Sequence, residues 1–264
     1  MISGYRGLAE TLIGSLIQEG YSVSVLVRNQ QSVPNVSSLF PNAFLFSGDI
    51  DSLDSCSLWI EKTIRHFGQV NCLINNAAVT GPGGRLHEIH SHDFEKAIHT
   101  NFLAPVFLCQ KLLPHFLSRE NGTFINLSGG GATGPRPFFS AYSTAKCALV
   151  RMTENLALEY PQLRFYAISP GALKTPMMEK IAGFAKEAIG SEHAMAKKVL
   201  SEGGQDPKKT AKLVLWLLKN QPSHLSGKLI SAIWDDYENE EHASESGFWT
   251  LRRVDEMLLR QLEE

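Results

Sequence analysis

The chain has 264 residues, of which 43% are hydrophobic and 20% charged, and a formal net charge of −2. That length and balance fit one large α/β domain, and the small net charge gives no sign of a nucleic-acid partner. No apolar run reaches the roughly 18 residues of a membrane span. The N-terminus lacks the basic-then-apolar pattern of a secretory leader. Cys56, Cys72, Cys109 and Cys147 are scattered, with no Cys-x-x-Cys pair, which reads as free thiols in a reducing compartment. A cytoplasmic protein is expected.

The run Ser3-Gly4-Tyr5-Arg6-Gly7-Leu8-Ala9 is a small-residue turn leading into an apolar-periodic helix from Leu8 to Ile17, closed by Gly20. Small residues let backbone approach a pyrophosphate, and a helix N-terminus aims N–H groups at it; a plain N-terminal turn has the same composition. Ser22 to Val27 is short and β-branched, a buried strand ending in Arg28-Asn29. An acid at this point suits the ribose hydroxyls of NAD, and an arginine suits a 2′-phosphate; a solvated arginine at a strand end is the plainer alternative. Ala43 to Ser47 reads as a third strand, followed by Gly48-Asp49-Ile50 and a helix from Leu53 to Phe67. Val70 to Ile74 reads as a fourth strand, ending Asn75-Asn76-Ala77-Ala78. Alternating strands and helices predict a Rossmann-type, doubly wound parallel sheet in a single domain. The strand-end amides fit either a ligand crevice or an ordinary turn.

A long helix is expected from Asp93 to Phe116, with Asn101 inside an apolar run. Asparagine is a poor helix former, so Asn101 is either tolerated or loosens the helix for a purpose. Gly122 to Leu127 is a fifth strand ending Ser128-Gly129-Gly130-Gly131. The next helix, running to Tyr160, carries Tyr142 and Lys146 one turn apart on one face. An ammonium beside a phenol favours phenolate, and such a pair suits general acid–base work on an alcohol or carbonyl. Tyr-x-x-x-Lys alone is also an ordinary surface pair. Arg164 to Ser169 is the sixth strand, followed by Pro170-Gly171-Ala172-Leu173-Lys174-Thr175-Pro176. Residues 177–204 are helical with breaks at Gly183 and Gly190, read as a lid over the site or as a solvated basic helix pair. A helix from Pro207 to Lys219 and a strand from Lys228 to Ile233 complete a domain spanning 1–233. Residues 234–264 form an acidic and amphipathic extension with a helix expected over 250–262.

Together, Asn75-Asn76-Ala77-Ala78, Asn101, the strand Phe124 to Ser128, Tyr142-x-x-x-Lys146 and Pro170-Gly171 with Thr175 resemble the short-chain dehydrogenase/reductase family. The resemblance covers nearly the whole chain. It implies that Tyr142 is the catalytic acid–base. Lys146 is then implied to lower the Tyr142 pKa and to hold the nicotinamide ribose. Asn101 is implied to hold a relay water, Asp49 and Ile50 to border the adenine, and Asn76 and Ala77 to line the cofactor floor. Pro170, Gly171 and Thr175 are implied to meet the nicotinamide end. Arg6 and Arg28 match the positions that accompany NADP rather than NAD in the family. A homodimer or homotetramer is expected from the family's paired-helix interfaces.

The chain departs from the family pattern in three places. Aligned without gaps on Arg6-Gly7-Leu8, Ser3 stands for the first glycine of Thr-Gly-x-x-x-Gly-x-Gly and Ala9 for the third. Only Met1 and Ile2 precede this turn. A sheet lacking most of its central strand and a distorted cofactor turn are therefore expected, whether through a start codon assigned too late or through a truncated, inactive form. The catalytic serine of the family lies thirteen residues before the tyrosine, where this chain has Gly129. Either the glycine run brings Ser128 round to Tyr142, or Thr133, Ser140 or a backbone N–H serves instead. The expected function is NADP(H)-dependent exchange of a hydride with a small carbonyl or alcohol. A dinucleotide-binding regulator or a scaffold of the same fold is the alternative. Phe138, Phe139, Met177 and Met178 suggest an apolar wall, and Arg136 and the lid lysines an anion contact. A sugar or sugar nucleotide and an acyl or steroid-like ketone remain alternatives for the substrate.

Overall fold

The structure, a computed structural model, describes residues 1–239 and 250–251. Only the first two positions of the helix expected over 250–262 fall within it. Seven parallel strands form one sheet: β1 (Ile2–Ser3), β2 (Ser24–Val27), β3 (Phe44–Ser47), β4 (Cys72–Asn75), β5 (Thr123–Leu127), β6 (Arg164–Ser169) and β7 (Leu229–Ser231). Their order is β3-β2-β1-β4-β5-β6-β7, so the strand direction of growth reverses at β1 and β4, where an α/β sheet opens a crevice at its carboxyl edge.

The helices are α1 (Leu8–Gln18), α2 (Val33–Leu39), α3 (Leu53–Phe67), α4 (Ser91–Ile98), α5 (Ala104–Leu117), α6 (Ser140–Glu159), α7 (Pro176–Ala182), α8 (Lys186–Ile189), α9 (Ser191–Glu202) and α10 (Pro207–Asn220). Alternate residues of the strands feed the two faces of the sheet. Ile125, Leu127, Tyr166 and Ile168 join Leu12, Ile13 and Leu16 of α1 and Leu213, Val214 and Leu217 of α10 in one core. Phe124 and Phe165 join Trp59 of α3 and Leu108, Leu112 and Phe116 of α5 in the other. Burial on both faces is why these strands read as continuous apolar runs.

The first strand is short but works as a strand. Ile2 pairs with Val25 on one side and Ile74 on the other, and the turn after it forms with Gly4 at φ 78°. Two residues are thus enough to link both neighbouring strands at their carboxyl ends. At the amino ends of β2 and β4 the sheet is not bridged. An opening of about 420 Å³ remains there, bordered by Ser22, Val23, Val70 and Asn71. The Met1 ammonium at its edge donates to the Cys72 carbonyl at 2.8 Å, and burial lowers its pKa.

The helix expected from Asp93 to Phe116 is divided. A π-helical turn, His99–Leu103, separates α4 from α5 and holds Asn101 fully buried. The short α2, over a stretch for which periodicity predicts no element, starts with Pro34 near its N-terminus.

Candidate active site

A cleft of about 970 Å³ runs along the carboxyl ends of the strands. At one end lie the β1–α1 turn and the ends of β2 and β3. Gly4 and Gly7 both have positive φ. That backbone conformation favours glycine at both positions, and at Gly7 a Cβ would also crowd Thr175 at 3.2 Å. Helix α1 begins at the cleft wall, where Gly7 and Leu8 lie, and has no side-chain cap on its first N–H groups. That cradle fits the diphosphate of a dinucleotide.

Ser3 does not line the cleft. Its hydroxyl accepts the Asn76 and Ala77 backbone N–H groups, each at 3.0 Å, while Asn76 Nδ2 donates to the Ser3 carbonyl. The residue at the cleft wall is Gly4. Arg6, Gly7, Leu8, Arg28, Ile50, Asn76 and Ala77 all line the cleft, together with Tyr5, Asn29 and Ser32, which the sequence reading did not single out. Arg6 Nε donates to the Tyr5 hydroxyl at 3.0 Å. Asp49 lies outside the wall and faces Arg28, with 3.5 Å between the charged atoms. Asn75, buried below, donates to Asn126 at 2.8 Å, and Asn126 to Thr153 of α6 at 2.9 Å. This polar chain joins β4, β5 and α6.

Asn101 also stands behind the wall. Its Oδ1 accepts the Val79 N–H and its Nδ2 donates to the Val79 carbonyl, both at 2.8 Å. Both ends of the amide thus fix the segment after β4. The π turn gives the reason that asparagine sits there: it redirects one turn of helix so that this amide meets a loop 22 residues away.

Tyr142 and Lys146 lie at the other end of the cleft, beside Pro170, Gly171 and Thr175. Both are buried. Lys146 Nζ donates to the Leu127 carbonyl at 2.6 Å and lies 5.8 Å from the centre of the Tyr142 ring. Burial lowers the Lys146 pKa to about 8. Burial also raises the Tyr142 pKa, and the charge that opposes this is the Arg136 guanidinium. The expected lowering by Lys146 is thus not what dominates here. Desolvation of the phenol does, with a different cation working against it.

The expectation that Ser128 turns to Tyr142 is also not met. The Ser128 hydroxyl is buried without a hydrogen-bond partner. A Cβ built on Gly129 would lie 2.5 Å from the Tyr142 hydroxyl, so position 129 is the one that faces the phenol. One step along an extended backbone reverses the side, and the glycine run does not undo that.

Helices α7 to α9 cover this end. Met177, Met178, Ile181 and Met195 line the cleft, and Lys180 is the only lysine of residues 177–204 that does. Arg136, at the cleft wall, pairs with Glu192 of α9 at 2.8 Å. The sequence reading named Arg136 but had no signal for Glu192, since the two are 56 residues apart.

The sequence profile of short chain dehydrogenases matches residues 1–185. The chain belongs to the short-chain dehydrogenase family. It is 27% identical over 233 residues to the 3-oxoacyl-(acyl-carrier-protein) reductase FabG of Thermotoga maritima, covering 85% of this chain and 90% of that one. Among solved structures, a short-chain dehydrogenase/reductase of Saccharomyces cerevisiae superposes with a TM-score of 0.82 at 21% identity, over 88% of this chain and 94% of that one. A second, described as ElxO with NADP bound, superposes with a TM-score of 0.75 at 23% identity, over 88% and 96%. Membership of this family makes the chain an oxidoreductase acting on carbonyl or alcohol groups with a nicotinamide dinucleotide. Among the described residues no helix is long and apolar enough to cross a membrane.

Proposed function

We propose that this short-chain dehydrogenase is an NADP(H)-dependent carbonyl reductase with Tyr142 as the acid–base group. The observation that carries the reading is the pairing of Tyr142 with Lys146 at the nicotinamide end of the cleft. A bound nicotinamide dinucleotide supplies the hydride. Tyr142 gives its phenol proton to the carbonyl oxygen, and the Lys146 ammonium offsets the charge left on the phenolate. Lys146, Pro170, Gly171 and Thr175 hold the nicotinamide end, and Gly7 with the start of α1 holds the diphosphate. The NADP preference rests on Arg6 and Arg28, which line the far end with Tyr5 and Ser32 and can meet a 2′-phosphate.

The substrate side favours an uncharged, largely apolar ketone over a sugar nucleotide. Its wall is Met177, Met178, Ile181 and Met195, and the charge of Arg136 is already met by Glu192. A cytoplasmic location agrees with four cysteines that are all free.

The experiment is a titration of NADPH and NADH, followed by turnover with a panel of ketones, for wild type and Tyr142→Phe. NADPH binds tighter than NADH in both proteins. Turnover falls about 10²–10⁴-fold in the variant, while NADPH affinity stays within a few-fold. Tight NADPH binding with no turnover of any carbonyl by wild type selects the regulator reading, which the missing side chain at position 129 favours.

A further inference from the structure

We propose that Arg136, clamped over the Tyr142 ring by Glu192 of α9, is a positioning cation that holds Tyr142 ready for proton transfer where residue 129 offers no side chain. This rests on the reading of Tyr142 as the acid–base group. A serine at this position would put a hydroxyl beside the phenol. Here the Tyr142 hydroxyl itself takes that space, 2.5 Å from where a Cβ on Gly129 would stand, and the Ser128 hydroxyl makes no hydrogen bond to it.

A cation is present instead. The Arg136 Cζ lies 5.4 Å from the Tyr142 ring centre and 4.9 Å from the Phe139 ring centre. Its Nε and Nη2 both meet Glu192 Oε2 at 2.8 Å. The side chains of this ion pair are only 11% and 16% exposed, so water screens them little. A planar guanidinium suits this place, because it can lie along aromatic rings and present a fork to a carboxylate at the same time.

Among the described residues, the charged side chains at this end of the cleft come from four elements. Lys146 comes from its own helix, Arg136 from the preceding loop, Glu192 from α9 and Lys180 from α7. The end of β5 and the residues 129–131 bring none. When the phenol gives its proton to the carbonyl oxygen, negative charge forms on the tyrosine oxygen. An arginine at this distance stabilises that state more than the neutral one, and it already opposes the effect of burial on Tyr142. The clamp adds a condition. Arg136 belongs to the loop before α6 and Glu192 to α9, so the cation is in place when α9 covers the cleft.

The test uses full-length protein in which Tyr142 is replaced by a fluorinated tyrosine, whose lower phenol pKa brings its titration into the range where the chain is folded. Fluorine NMR then reads that titration in the presence of Arg136 and in Arg136→Met, Arg136→Gln and Arg136→Lys. The expected result is a rise of about one pH unit in the Met and Gln variants and little change in the Lys variant. In otherwise native protein, the pH limb of kcat/KM for ketone reduction moves the same way, and NADPH affinity does not move. Titration that is unchanged in whichever of the Met and Gln variants keeps its native circular dichroism overturns the proposal. If the fluorotyrosine titration moves but no protein reduces any ketone, the placement of Arg136 stands and the carbonyl-reductase reading fails.

Discussion

The Tyr142 hydroxyl occupies the space that a side chain at 129 needs, which gives the neighbouring residues opposite fates. Gly129→Ala drives a methyl group into the phenol oxygen. Turnover is expected to fall by at least about 10²-fold, the scale of misplacing a reacting group by an ångström, with NADPH binding kept. Ser128→Ala removes a buried hydroxyl that has no partner. It is expected to leave turnover within a few-fold and stability unchanged or higher by about 1 kcal/mol. Steady-state kinetics and thermal melts of the two variants check both statements. Lys146 shows the cost of the site. Its pKa is lowered from 10.5 to about 8 by burial, so the folded state disfavours its protonation relative to the unfolded chain. The penalty is full below about pH 8 and disappears above about 10.5, and is on the order of 3 kcal/mol. Lys146→Met removes it but leaves the Leu127 carbonyl unpaired, which returns about 1–3 kcal/mol. The variant is expected to be inactive, yet to melt no lower than wild type at pH 7 and to lose that advantage by pH 10.5. Calorimetry at the two pH values decides it. The pair's spacing was legible in the sequence. The burial that sets both pKa values was not, because it comes from β5, α7 and α9 closing around the two side chains.

Among the elements, α3 and β6 have the bounds the sequence predicts. Ser52 caps α3 by accepting the Ser55 N–H and Gly68 ends it in the left-handed region, so local chemistry is sufficient. The stretch from α4 to α5 is different. Apolar periodicity runs through it without a break, and the π turn at His99–Leu103 is imposed by contacts from elsewhere. Asn101 takes both polar groups of Val79, while Thr100 and His99 meet Asp51 after β3 at 2.9 Å and 3.2 Å. Asn101→Ala leaves a buried N–H and carbonyl unpaired, an expected loss of about 2–4 kcal/mol. Because the Val79 segment forms part of the cleft wall, NADPH affinity falls as well, unlike in Tyr142→Phe. Chemical denaturation together with a cofactor titration measures the two effects separately.

At the scale of the whole molecule, the outer faces of α5 and α6 keep side chains that the fold does not fully cover. Val106, Phe107, Cys147 and Ala148 are half-buried, and Leu158 is 78% exposed. We propose that these faces pair with a second copy, giving a homodimer or homotetramer. Light scattering at micromolar concentration is expected to show a multiple of the 29.2 kDa chain mass, and Leu158→Glu to shift the population toward monomer. A wild-type monomer under these conditions refutes the pairing.

The sequence alone determined the alternation of strands and helices, the parallel sheet, the crevice at its carboxyl edge and the Tyr142–Lys146 pair. All of these follow from periodicity and spacing within a few residues. Tertiary structure decided what depends on which way a side chain faces and what it meets across long separations. The two residues of β1 hold the centre of the sheet because strands from both halves pair with them. Ser3 supports the floor rather than lining it, since its hydroxyl is claimed by backbone 73 and 74 residues on. Gly129 faces the phenol and Ser128 does not, because a strand reverses side at each residue. Arg136 reaches Tyr142 as a held cation only because α9 folds back and brings Glu192 to it.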